Sequence, residues 1–268
     1  MMRRLMGMPL HDLTQSQAVA RIFAGVHRGD GGTVLTPNIE ILRQYLASPD
    51  LQATFERTDL LLADGMPLVV ASRLQRAPVP GQITGTDLLW AVCAEAAVRK
   101  RSVLLAGGRR GDAERAADRI RARFPDLRAE TQPCYVRPEN EERELAELSR
   151  ILVASGPDVV FLGLPFHAQV SVMSSLRTML PGTWFVGVGS SFELVNGDRT
   201  RPPVWVRRVC LEWAWRMTSQ PWLWRRYLLG GLPMASRLAV AALRERWRRR
   251  PEPVPDDLPD ASGGSRLP

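Results

Sequence analysis

Short apolar runs alternate with longer amphipathic stretches along most of this chain, and no other feature restricts its fold as tightly. Residues 33–35, 60–63, 103–106, 159–162 and 184–188 read as strands, with a weaker one over 128–132. Residues 38–46, 67–74, 85–99, 112–124 and 139–154 read as helices, and one more helix fits between the last two strands. The stretch 85–99 repeats Leu88, Leu89, Val92, Cys93 and Ala96 at helical spacing, and Asp112 stands where it can cap the helix it opens. Pro78, Pro80 and Gly81 make 77–82 a loop. Strand–helix alternation at this spacing predicts an α/β fold: an open, mostly parallel Rossmann-like sheet with helices on both faces.

In such a sheet, ligands bind beyond the carboxyl ends of the strands. Glycine and polar residues collect at those ends: Thr36 and Asn38, Asp64 and Gly65, Gly107 and Gly108, Gly163 through His167, and Gly189 through Glu193. The pattern points to a nucleotide or nucleotide-sugar site. Gly107-Gly108-Arg109-Arg110-Gly111 can bring backbone N–H groups and a helix N-terminus to a phosphate, or it is a plain strand-to-helix turn. It is not a GxGxxG fingerprint, and no Gly-Lys-Ser/Thr follows, so neither a dinucleotide site nor a P-loop is supported.

Asp64 follows the run Leu60-Leu61-Leu62-Ala63. A carboxylate partly desolvated at the mouth of an apolar strand makes a better general base, although Asp before Gly is also ordinary turn chemistry. Ser190, Ser191 and Glu193 follow Gly187-Val188-Gly189, where small residues let a ligand approach and Glu193 can accept from ribose hydroxyls; the other reading is a buried strand end with a solvated Glu. His167 is a candidate ligand contact, though a lone His is more often structural.

Charge divides the chain. Residues 201–250 carry twelve Arg and two Glu, a local balance of +10 in a chain of +8 overall, and six of the eight Trp. Arginine interleaved with Trp suits an anionic membrane surface or a phosphate-rich ligand. A nucleic-acid groove is disfavoured, because the basic residues alternate with apolar helical positions. Residues 251–268 are rich in Pro, Asp, Gly and Ser and read as a disordered tail. The division expected is therefore a catalytic α/β domain over 1–198, a basic Trp-rich helical appendage over 199–250 that docks on a membrane, and the tail. Cys93, Cys134 and Cys210 lie far apart and read as structural thiols in a reducing compartment, with no metal-ligand spacing. No signal peptide and no run of about 18 apolar residues is present, so the sequence suggests a cytoplasmic protein lying on a membrane.

Taken in order, these motifs resemble the WecG/TagA/CpsF glycosyltransferases, glycosyltransferase family 26. Thr36-Pro37-Asn38 is similar to that family's T-x-N, Ala63-Asp64-Gly65-Met66-Pro67 to its A-D-G-x-P, and Thr84-Gly85-Thr86-Asp87-Leu88 to its T-G-x-D-L. The segment Leu104 to Gly108 resembles its L-L-G-G turn, and Gly187 through Glu193 its G-V-G-x-x-F-D. Arg201-Pro202-Pro203-Val204-Trp205, Glu212-Trp213 with Arg216, and Arg225-Arg226-Tyr227 resemble its R-A-P-x-W, E-W-x-x-R and R-R-Y. The resemblance covers about residues 14 to 235. It implies inverting transfer of an N-acetylhexosamine, typically N-acetylmannosamine, from a UDP-sugar donor to GlcNAc on undecaprenyl diphosphate, at the inner face of the bacterial cell membrane, for cell-surface polysaccharide or teichoic acid. It also implies Asp64 as general base, Thr36, Asn38 and Glu193 around the donor, and Arg216, Arg225 and Arg226 near the diphosphate. No cofactor is implied, no D-x-D metal site is visible, and a homo-oligomer is compatible with the family.

Three departures stand out. Pro165-Phe166-His167-Ala168 replaces the family's P-K-Q-E, Gln82 stands where an Arg is usual, and Glu193 replaces an Asp. They leave the donor sugar open and motivate an alternative: a catalytically impaired protein of the same fold that binds a nucleotide sugar or a lipid diphosphate.

Overall fold

The computed structural model describes residues 1–135, 139–200, 202–203, 206, 214–215, 224 and 226–248, with the backbone alone for 226–228. It opens with an antiparallel hairpin of β1 (Met2–Leu5) and β2 (Met8–His11), which the alternation of runs does not reveal. Met6 and Gly7 both take positive φ, 49° and 88°, as a two-residue turn matched to strand twist requires. Helix α1 (Gln15–Arg28) follows, its start fixed by a reciprocal capping box between Thr14 and Gln17 and its end by Gly29 in the left-handed region.

The expected sheet is present, and each pairing in it is parallel. Strands β3 (Gly32–Leu35), β4 (Leu60–Leu61), β5 (Val103–Gly107), β6 (Ala129–Gln132), β7 (Val159–Gly163) and β8 (Trp184–Gly187) lie in the order β4-β3-β8-β7-β5-β6. Between them run α2 (Ile39–Ala47), α3 (Pro49–Arg57), α4 (Met66–Leu74), α5 (Gly85–Val98), α6 (Asp112–Arg123), α7 (Glu141–Ser155) and α8 (Phe166–Met179), and α9 (Ser191–Val195) follows β8. A π-helical stretch, Arg226–Gly231, leads into α10 (Leu232–Arg248).

Strand residues alternate between two cores, because successive side chains point to opposite faces. Leu35, Leu104, Val160, Leu162 and Phe185 face the hairpin, α2, α3, α4, α7 and α8. Val34, Leu105, Phe161 and Val186 face α1, α5, α6 and α9. A sheet covered on both faces explains why its strands read as continuous apolar runs.

Two expectations need correction. Asp112 does not cap α6; the N-cap is Gly111, and Asp112 lies buried one residue on, accepting from the Arg109 backbone N–H at 2.8 Å. Met234, Leu238 and Ala242 of α10 are buried in the core shared by α2 and α4, so the one apolar stripe of this helix is covered at the α4 surface. The strand expected over 60–63 is limited to two residues, after which Leu62 and Asp64 still donate to Leu35 and Pro37 carbonyls. The 251–268 tail lies outside the described residues.

Cys93 is buried in α5, where burial pushes its thiol well above the usual range, and Cys134 is also buried. Cys210 lies outside the described residues. His11 is buried under β4; its Nδ1 accepts from the Leu61 N–H at 3.0 Å, and burial pulls the imidazole below its ordinary range. No described helix is long and apolar enough to cross a membrane.

Candidate active site

Because the six strands are parallel, their carboxyl ends share one edge of the sheet. A cleft of about 880 Å³ opens there. Its walls come from the segments after β3, β4, β5, β7 and β8, joined by the α5 N-terminus and by Asp198, Arg199 and Trp215. Several helices also begin at this edge. Thr84, Gly85 and Thr86 bring in the start of α5, and Pro165 and Phe166 the start of α8. Among the described residues no side chain caps α8, and its first turn carries no acid, so its first N–H groups hold positive potential at the cleft.

Asp64 is half-buried and lines the cleft. Its backbone N–H is anchored on the Pro37 carbonyl at 2.8 Å, and the Ala63 carbonyl accepts from Ile83 at 2.8 Å, which draws the 77–83 loop across the strand end. That loop delivers Gln82, whose Nε2 donates to Asp64 Oδ1 at 3.3 Å. Gly65 follows with φ 122°, a conformation costly for any side chain, so the turn that aims Asp64 requires glycine. Asn38 caps α2, its Oδ1 accepting from Glu40 and Ile41 N–H groups at 3.0 and 3.1 Å. The cap fixes the amide plane of a side chain that lines the cleft.

On the far wall Glu193 sits between two guanidiniums. Arg109 Nε is 3.6 Å from Oε1, and Arg199 is 3.5 Å from Oε2 while donating to Ser190 Oγ at 3.1 Å. Arg109 is 81% exposed and its pairing is weak, whereas Arg199 is 21% exposed and held.

Thr36, Asn38, Asp64, Gly108, Ser190 and Glu193 therefore come together in one cleft. Gly107 does not line it; this residue lies behind the wall with φ 91°, and a Cβ there would meet Leu164 at 2.7 Å. His167 does not line it either. It is exposed, with its ring 5.9 Å from that of Phe166. The amide facing the cleft is Gln169, two residues on in α8, buried and donating to the Leu164 carbonyl at 2.6 Å. It packs so tightly on Gly187 that a Cβ there would lie 2.2 Å from Oε1. Arg216 and Arg225 lie outside the described residues, as does the side chain of Arg226.

Sequence reasoning missed Gln169, Arg199 and the contact between Gln82 and Asp64. A Gln on the cleft-facing turn of α8 was the available signal for the first. Nothing local marks Arg199, which is brought in by the turn after α9.

A doubly wound sheet whose carboxyl-edge cleft combines a half-buried carboxylate, helix N-termini and two arginines has the layout of an α/β enzyme. The family model described as "Glycosyl transferase WecG/TagA/CpsF family" matches residues 3–251, and the chain belongs to that family of glycosyltransferases. It is similar to the N-acetylglucosaminyldiphosphoundecaprenol N-acetyl-beta-D-mannosaminyltransferase of Bacillus spizizenii, at 30% identity over 74% of this chain and 75% of the relative. A protein of the same name from Bacillus subtilis is 26% identical over 84% of this chain and 86% of its own length.

Proposed function

We propose that this glycosyltransferase moves N-acetylmannosamine from a UDP-sugar to GlcNAc-diphosphoundecaprenol, with inversion, in the synthesis of a cell-surface polysaccharide or teichoic acid. The relatives' names supply the sugar and the acceptor. The observation that carries the chemistry is Asp64, a carboxylate anchored at the cleft mouth with a neutral amide against one oxygen.

In the reaction, an acceptor hydroxyl oxygen forms a bond to the anomeric carbon as the bond from that carbon to UDP breaks. Asp64 takes the hydroxyl proton, a role that contributes about 10²–10⁴-fold. UDP leaves with the electron pair. The α8 N-terminus and Arg199 meet the charge that develops on it, fixed groups that need no reorganisation at that moment. Thr36, Asn38 and Glu193 hold the donor. Among the described residues, no three His, Cys, Asp or Glu side chains gather as metal ligands. The mechanism proposed is metal-independent, and activity should survive EDTA.

The membrane is the natural place for such an acceptor. On α10 the exposed Leu232, Val240, Leu243 and Trp247 alternate with exposed Arg237, Arg244, Arg246 and Arg248, a surface suited to shallow contact with anionic headgroups. We assign the protein to the inner face of the cell membrane as a peripheral enzyme. The test is a screen of UDP-sugars against synthetic GlcNAc-diphosphoundecaprenol with product mass determined. A product heavier by one N-acetylhexosamine, formed with EDTA present, is expected. UDP binding without any transfer would favour a non-catalytic binder instead.

A further inference from the structure

A second cavity, about 290 Å³, lies between α4 and α10, and every described residue lining it is apolar or glycine. Ile39, Pro67 and Val70 line it from α2 and α4, and Leu232, Ala235 and Ala239 from α10. Two of these residues sit on chain segments that run straight out of the cleft wall. Ile39 directly follows Asn38, and Pro67 stands three residues after Asp64. The π-helical stretch makes a third link. A Cβ on Gly230 would lie 3.9 Å from Glu40 Oε2 of the cleft wall, and the next residue, Gly231, already lines the groove. At its rim Val70 and Leu232 are 37% and 42% exposed, and Leu229 beside them is 70% exposed. Apolar surface this open is costly unless something covers it.

We propose that this groove receives the first isoprenoid units of the lipid-linked acceptor, the segment next to the diphosphate. The proposal rests on the acceptor reading above. A polyprenyl diphosphate whose sugar reaches Asp64 places its hydrocarbon chain at the cleft mouth. The groove is an apolar surface that begins near there, and among the described residues no charged side chain lines it. Covering Val70 and Leu232 removes their exposed surface from water, and the diphosphate stays on the polar side. The groove thus distinguishes a polyprenyl acceptor from a soluble sugar diphosphate through binding, leaving the chemical step unchanged.

The test compares two acceptors with the same GlcNAc-diphosphate head, one on undecaprenol and one on a short alkyl chain. Ala235→Phe fills the groove, and Val70→Ser removes apolar rim without adding volume. Each variant should raise KM for the undecaprenyl acceptor about tenfold, the loss expected for one or two unburied methylenes. kcat, and both constants for the short acceptor, should stay at wild-type values. Equal KM changes on both acceptors, or no change on either in a variant with wild-type Tm, would overturn the groove. If the wild type transferred to neither acceptor, the acceptor reading itself would fall. The groove would then be judged by undecaprenyl phosphate binding, which Ala235→Phe should weaken; unchanged binding would overturn it.

Discussion

The cleft and the groove draw on the same stretches of chain, the entries to α2 and α4, and are made of different material. In the cleft, several polar side chains are held by a backbone group or another side chain: Asn38 by its own cap, Gln169 by Leu164, and Arg199 by Ser190 and Glu193. In the groove, Val70, Ala235 and Ala239 offer only surface. Directional bonds fix a few atoms to within tenths of an ångström, as proton transfer and charge stabilisation require. An apolar wall fixes nothing so closely, but it can hold a flexible hydrocarbon in many arrangements. Changes in the cleft should therefore appear in kcat, and changes around the groove in KM or in stability.

The sharpest break in this comparison is Asp64→Asn. The amide keeps the shape and cannot accept the proton. Turnover should drop at least about 10²-fold while UDP binding, read by calorimetry, stays near wild type. A variant retaining more than roughly a tenth of wild-type turnover would remove Asp64 from the role of base.

Leu238→Ala probes the other side. Leu238 is 2% exposed where α10 meets α4, so its truncation should cost about 2–5 kcal/mol of stability, seen as a lower denaturant midpoint. kcat of the folded fraction should hold. A stability change under about 0.5 kcal/mol would mean that α10 is only loosely docked.

Arg199→Ala should lower kcat roughly tenfold, the loss of about one charge-assisted hydrogen bond to the developing charge. An unchanged kcat would place the arginine in a purely structural contact with Glu193.

Gln82→Arg has the smallest expected effect. It sets a cation beside Asp64, favouring the ionised carboxylate, so the acid limb of the kcat/KM profile should move to lower pH. The weaker base should cost less than about tenfold at neutral pH. A limb that does not move would separate Gln82 from Asp64 in function.

Much of this architecture was legible in the chain. The six strands are apolar because both faces of the sheet are covered, and the polar strand ends stand out against them. Thr36, Asn38, Asp64, Ser190 and Glu193 could be brought to one cleft from topology alone. The hairpin was not legible: its four-residue strands are too short for a period to show, and its signal lies in the backbone at Met6 and Gly7. Arg199 was hidden because only tertiary folding carries it back over Ser190. His167 and Gln169 exchange places for a simple reason: α8 turns His167 to solvent and Gln169 inward, a rotation set by helix phase. The docking of α10 was masked by its arginines, which drew attention to charge while Met234, Leu238 and Ala242 formed the buried stripe.

The division of labour itself is tested most directly by steady-state kinetics of the wild-type enzyme on the undecaprenyl and short-chain acceptors, in detergent, with one donor. If the cleft performs the chemistry and the apolar face only captures the lipid, kcat will agree within about twofold while KM for the short chain is about tenfold or more higher. Equal KM values, or a kcat that falls with the chain while KM does not change, would contradict the account.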